Sequence, residues 1–325
     1  MEIVLTHESA LQFWRLYSET PFDGETALRQ KERHRLPRGY RLSLSAAEAE
    51  RFATIHQLSL PLHIGVVDPK QTRTLAHCRT HLLDPATSKE ALFVTVSSGV
   101  LVASPLLVLL QMGRFLSDVQ LELLAFEACG GFSTPAPPAR QDYVERQPLL
   151  TLAACRRLLD PLEMTYGARK LEDALGQILE ESASPRESKM AIVLCHPHHR
   201  GGLNQRDAVM NTRIDLPLEF KPLFTAGYFK PDLYWPQGKV GVEYDSSLHH
   251  SDPAKKLADE RRAAALESLG ISMFSVHAWE LEDRDFMTEL ARKIAWKRGT
   301  RLRPQSGSFK AKQEELFKEL FSWHG

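Results

Sequence analysis

Apolar and polar positions divide the chain into three stretches. In the first, FVTV and VLVA flank Ser97-Ser98-Gly99 and read as two β-type runs joined by a turn, a hairpin. Ser104-Pro105 then opens a short helix, LLVLLQMG, with proline at the position where its missing N–H costs nothing. Ser117 opens a second, amphipathic helix that ends near Cys129-Gly130-Gly131. The spacing of Leu11, Trp14 and Leu16 predicts that Trp14 and Phe13 belong to a core. Residues 1–131 are therefore expected to form a small α+β module. Residues 132–182 are a Pro-rich linker, with Pro135, Pro137, Pro138 and Pro148, followed by connector helices capped at Thr151 and interrupted by Pro161. Residues 183–325 form the third stretch, in which strands and helices alternate.

That third stretch holds the most informative segment, YFKPDLYWPQGKVGVEYDSSLHH at 228–250. Pro236, Gln237, Gly238 and Lys239 carry turn chemistry between two β-type runs. If Trp235 pairs with Val240, Asp232 pairs with Glu243. Alternation then puts Leu233, Trp235, Val240, Val242 and Tyr244 on one apolar face, and Asp232, Glu243 and Asp245 on the other. Opposed like charges on neighbouring strands are destabilising. A divalent cation such as Mg²⁺, which takes oxygen ligands from one or two carboxylates together with substrate phosphates, would offset the repulsion. A solvated acidic face is the alternative. A helix follows, with Asp252 as N-cap, Pro253 in the first turn, Leu257, Ala265, Leu266 and Leu269 as apolar positions and Gly270 past its end. ISMFSV, residues 271–276, reads as the next strand, giving a βαβ unit with parallel strands and the acids at a carboxyl end.

Composition narrows the picture only slightly. A chain of 325 residues with 43% hydrophobic and 25% charged content is globular and long enough for about two domains. Lys plus Arg equals Asp plus Glu at 41 each, so any polyanion site must be local. Residues 291–313 contain Arg292, Lys293, Lys297, Arg298, Arg301, Arg303, Lys310 and Lys312 and no acid, a run that could neutralise phosphates or could be a solvated helix end. Arg33, His34, Arg35, Arg38 and Arg41 form a second basic cluster, read as a solvated loop. Cys78, Cys129, Cys155 and Cys195 are widely spread and fit a reduced cytoplasmic setting. The runs Cys195-His196-Pro197-His198-His199 and His77-Cys78 with His81 contain zinc-type donors but read as loops. No signal peptide or membrane span is expected, because the most apolar stretch, 99–112, is interrupted by Ser104-Pro105.

Pro231-Asp232, the strand with Glu243-x-Asp245, His249 beyond it and Asp259-x-x-Arg262 on the following helix together resemble the PD-(D/E)XK nuclease superfamily, in particular its very-short-patch-repair-endonuclease-like branch, over about residues 183–297. ASPRESKMAIVL resembles the opening helix of that fold. The resemblance implies an α/β fold class, with a restriction-endonuclease-like mixed sheet flanked by helices in the C-terminal domain and a smaller α+β N-terminal domain. It implies Mg²⁺-dependent hydrolysis of DNA, with Mn²⁺ as substitute, Glu187, Asp232, Glu243 and Asp245 as metal ligands, and Asp232, Glu243, Asp245 and His249 as catalytic residues. The chain departs from the pattern at Asp245, where many members carry lysine, and at Ser246, where glycine usually follows. Proton transfer would then fall to a metal-bound water or to His249, whose ordinary pKa suits it. Arg262 could touch a phosphate or pair with Asp259. Lys297, Arg298, Arg301 and Arg303 are the expected nucleic-acid contacts. DNA is the expected partner, with no membrane and no small-molecule cofactor. The alternative is a DNA-binding regulatory protein that keeps a nuclease fold without turnover. The N-terminal module is distantly similar to abortive-infection antitoxin proteins of the AbiEi type, which implies a bacterial defence or toxin–antitoxin setting.

Overall fold

The computed structural model describes residues 3–17, 33–34, 42, 44–89, 92–97, 99–134, 142–224, 227–245, 253–302 and 307–323. The chain forms two units, residues 1–176 and 177–324, each of mixed α and β structure.

In the first unit β1 (Ile3–Leu5), β2 (Arg33–His34), β3 (Leu62–Val66), β4 (Cys78–Leu82), β5 (Phe93–Ser97) and β6 (Val100–Ala103) form one sheet in the order β2-β5-β6-β1-β3-β4. The β5–β6 hairpin forms as its sequence predicts, with Gly99 at φ 78°. Its edge, β6, takes β1 in parallel, a pairing that no local pattern announces.

The helices of this unit are α1 (His7–Leu16), α2 (Ala46–His56), α3 (Pro85–Lys89), α4 (Pro105–Met112) and α5 (Asp118–Cys129). The Ser104 hydroxyl caps α4 by accepting from the Leu107 N–H, and Ser117 with Gln120 forms a reciprocal capping box on α5. Two expectations are corrected here. α5 is not amphipathic, since every residue from Leu121 to Cys129 is buried, Glu122 and Glu127 included. Glu127 is tolerated because Arg15 grips it through two bonds of 2.9 and 2.8 Å. Leu16 is exposed, whereas Trp14 is buried and donates its indole N–H to the Ala103 carbonyl at 2.7 Å.

The proline-rich linker is bracketed by a small ribbon, β7 (Phe132–Ser133) with β8 (Val144–Glu145). Beyond it, α6 (Leu152–Leu159), capped by Thr151, and α7 (Ala168–Leu175) pack on α4 and α5. The residues read as connector helices thus divide, with those up to Gly176 completing the first unit.

The second unit is built on α8 (Pro185–Cys195) and the strands β9 (Val209–Met210), β10 (Ile214–Asp215), β11 (Tyr228–Phe229), β12 (Leu233–Trp235) and β13 (Val240–Asp245). After them come α9 (Pro253–Ser268), β14 (Ser272–His277), α10 (Ala278–Leu281), α11 (Arg284–Lys297) and α12 (Gly307–Ser322). β14, β13, β12 and β9 form a sheet in that order, while β10 and β11 pair separately. The hairpin register is the one the sequence predicts, with Trp235 opposite Val240 and Leu233 opposite Val242, and Gly238 at φ 106° in the turn. The βαβ unit also forms, and β13 and β14 are parallel with Glu243 beside Ser275 and Asp245 beside His277.

Leu233, Trp235, Val240 and Val242 are fully buried on one face of the hairpin. The opposite face is not wholly acidic. Its half nearest the turn is covered, with Tyr234 packed against Leu216, Phe224, Phe229, Leu266 and Ile271. Gly241 lies beneath Met273, whose sulfur would stand 2.4 Å from a Cβ there. Only the far half of that face is left for the acids. Among the described residues no helix is long and apolar enough to cross a membrane.

A candidate carboxylate site on the second sheet

Asp232 stands just before β12. Extending the register one step places it opposite Glu243, and its Oδ2 accepts the Tyr244 N–H at 2.6 Å. Its carbonyl accepts the Asn211 N–H at 3.1 Å. Asn211 follows β9 with φ 47°, a left-handed conformation that asparagine tolerates better than most residues. From there its side-chain amide donates to Glu187 Oε2 at 2.6 Å and to the Glu181 carbonyl at 2.9 Å. One asparagine therefore ties the opening turn of α8 to the acid end of the hairpin.

Glu187 is buried at that turn. Its carboxylate accepts the Ala183 N–H and the Ser184 hydroxyl, each at 2.9 Å, while Ser184 accepts the Glu187 N–H at 3.2 Å. Ser184 and Glu187 are thus helix-capping partners, and the charge of the same carboxylate acts on Asp232. Burial pushes the Asp232 carboxyl up to about 7, Glu187 adds to the rise, the Tyr244 N–H opposes it and Glu243 contributes further. Three carboxylates from α8, the start of β12 and the end of β13 consequently share one electrostatic environment.

Asp245 lies one step further along that strand face. The parallel register brings His277 beside it, with Nδ1 3.8 Å from Asp245 Oδ2. His249 lies outside the described residues, as do Ser246 and His250. Lys239 donates its amine to the Leu269 carbonyl at 3.2 Å, at the far end of the hairpin from Asp245. Arg262 lays its guanidinium over the Phe224 ring at 5.0 Å.

The described members of the basic run do not form one surface beside these acids. Arg298 sits under the turn, where a Cβ on Gly238 would come within 2.9 Å of the Arg298 Cα. About 17 Å of β13 separates that turn from Asp245 at the usual strand rise. The Arg298 side chain is only 7% exposed. Lys297 lies 5.4 Å over the Trp296 ring, Arg292 pairs with Glu289, Lys312 caps the His199 carbonyl and Arg303 falls outside the described residues. Arg33 and His34 belong to β2, and the rest of that basic cluster lies outside the described residues.

Asn211 and His277 are the site residues that sequence reasoning missed. His277 was within reach, because a parallel β13–β14 register puts the sixth strand residue beside Asp245. Asn211 was not, since its role depends on a strand of two residues.

Among the described residues no three His, Cys, Asp or Glu side chains lie close enough together to hold a metal ion by themselves. Asp232 and Glu243 offer hard oxygen donors suited to Mg²⁺, a cation that keeps several waters and commonly needs only one or two protein carboxylates. Glu187, with both oxygens engaged by hydrogen bonds, is placed to orient and charge the site more than to enclose an ion. The chain matches no protein-family profile, no curated protein and no solved structure.

Proposed function

We propose that the second unit is a divalent-metal-dependent nuclease that hydrolyses DNA phosphodiesters, with a restriction-endonuclease-like arrangement of its sheet and helices. The reading rests on one observation above the rest: Asp232 is half-buried, and that burial together with the charges of Glu187 and Glu243 pushes its carboxyl up to about 7. A scaffold gains nothing from such crowding, and perturbed carboxylates cluster where chemistry is done. Asp232 and Glu243 would hold Mg²⁺ at the carboxyl end of β13. Bound there, the ion supplies Lewis-acid polarisation of the phosphoryl oxygen and a more acidic water. Asp245, paired with His277, orients the attacking water, and His249 is the candidate proton acceptor. Glu187 and Asn211 keep Asp232 in place. DNA as substrate and a bacterial defence role rest on the resemblances in the sequence, and a cytoplasmic setting on its widely spread cysteines.

A second reading is favoured by the Glu187 oxygens, which are already occupied as a helix cap. On that reading the unit binds DNA without cutting it. Plasmid nicking in Mg²⁺ and Mn²⁺ separates the two. The nuclease relaxes supercoiled plasmid, and Asp232→Ala or Glu243→Ala abolishes relaxation while far-UV circular dichroism is unchanged. Inactivity of the unmodified protein with every metal and DNA form, alongside salt-dependent DNA binding, would establish the second reading instead.

A further inference from the structure

At the turn end of the hairpin, away from the acids, loop 203–207 and residues 298–302 beyond α11 line a half-open cavity of about 260 Å³. That is near the lower end of small-molecule pockets. The loop is held rigidly on all sides. The Leu203, Asn204 and Gln205 N–H groups bond the Val193, His196 and Leu194 carbonyls at 2.7–2.9 Å, and the Trp235 indole N–H donates to the carbonyls of Gln205 and Arg206. Asn204 at φ 55° and Asp207 at φ 66° both carry left-handed backbone. Strain of this kind persists where the surroundings fix it and is concentrated at binding sites.

Arg298 lines this cavity. Its side chain is 93% buried, yet its contacts are long: Nη1 to Gln205 Oε1 at 3.4 Å and Nη2 to Asp207 Oδ2 at 3.5 Å, the latter carboxylate being 82% exposed. Its buried Nε–H has no acceptor. Trp235 contributes a ring face at 6.0 Å. A guanidinium presents donors in a fixed fork that matches two oxygens of one oxyanion, and here, at the wall of the cavity, its two Nη atoms reach different residues, Gln205 and Asp207, at long range. Arg206 and Arg301 stand at the rim. Against three guanidiniums there is one lining carboxylate, Asp207, together with the weak negative end of α11. The excess of close to two positive charges suits a dianion.

We propose that this cavity binds a phosphate monoester, with Arg298 gripping two phosphate oxygens and Arg206 and Arg301 covering the third, the ligand being a free mononucleotide or the 5′-phosphorylated end of a nucleic-acid strand. The net excess of positive charge favours the dianion of a terminal phosphate over the single charge of a backbone diester. The site is separate from the carboxylates and does not depend on their activity.

The test uses the full chain in EDTA, which removes divalent metal and with it any contribution of the acid site. Calorimetric titrations compare thymidine 5′-monophosphate, thymidine, inorganic phosphate, and one oligonucleotide with and without its 5′ phosphate. The proposal expects the monophosphate to bind at least tenfold more tightly than thymidine and inorganic phosphate to compete with it. A tenfold preference for the phosphorylated oligonucleotide identifies a strand end as the source, and its absence together with monophosphate binding identifies a free nucleotide. Arg298→Gln should abolish binding. Arg206→Gln with Arg301→Gln, at exposed positions that leave the fold intact, should weaken it at least fivefold and flatten its salt dependence. Equal binding of thymidine and its monophosphate, no binding of any phosphate, or undiminished binding by the rim double variant overturns the proposal.

Discussion

Replacing Asp232 by asparagine isolates the crowding on which the site is built. The gap between the ordinary 3.8 and about 7, at about 1.36 kcal/mol per pH unit, places about 4 kcal/mol of unfavourable free energy on the ionised carboxylate in the folded chain. Between those two values the unfolded chain binds fewer protons than the folded one. The contribution of Asp232 to stability is therefore fully present below about pH 4, falls as pH rises and is lost above about pH 7. Asparagine keeps an oxygen for the Tyr244 N–H and removes the charge. In EDTA at pH 8, Asp232→Asn should be more stable than the unmodified protein by about 2–4 kcal/mol, with the gain vanishing towards pH 4. Urea unfolding followed by tryptophan fluorescence from pH 4 to pH 8 measures the difference. Mn²⁺ should then stabilise the unmodified protein and leave the variant unchanged, since a ligand stabilises only the state that binds it. A variant less stable at pH 8, or a difference that does not change with pH, would refute the reasoning.

Other perturbations test other parts of the structure. In the first unit His7 stacks on His81 at 3.7 Å, and His81 bonds His63 at 3.1 Å. Burial and mutual repulsion push His7 down to about 2 and His81 down to about 4. Unfolded histidines take up protons below about pH 6.5, so this unit should lose about 1.4 kcal/mol per pH unit from His7 alone between pH 6.5 and pH 4, opposite in sign to Asp232 and visible by calorimetry. Asn211→Ala removes the bonds to Glu187 and Glu181 and puts a side chain with no local hydrogen bond at φ 47°. It should cost about 2 kcal/mol in urea unfolding and lower nicking, with Asn211→Gly recovering the backbone share. Arg15→Ala strands Glu127 in the core and should cost about 3–5 kcal/mol in the same assay. Metal-dependent nicking should rise with pH through about 7, as Asp232 ionises, and a flat profile would contradict the assignment.

The parts of this architecture written in the sequence are those governed by short-range rules. Proline and glycine at 236–238 and strict alternation on either side set the hairpin register, and one slipped residue would have turned Leu233 and Trp235 away from the core. Ser104, Ser117 and Thr151 each announced a helix start, because capping is a contact between residues three apart. What was not legible depends on distant partners. The buried faces of α5 look amphipathic until Arg15 arrives to neutralise Glu127. Arg298 looks like part of a solvated run until the hairpin turn lies over it. β9 is two residues long, too short to leave a pattern, and without it Asn211 has no reason to stand between Glu187 and Asp232.

The central claim is that Asp232 and Glu243 share a divalent ion, and the most direct test is anomalous diffraction from crystals soaked in Mn²⁺. The account predicts a peak about 2.2 Å from a carboxylate oxygen of each residue, lost in Asp232→Asn. A peak elsewhere, or none with both side chains ordered and facing apart, would contradict it.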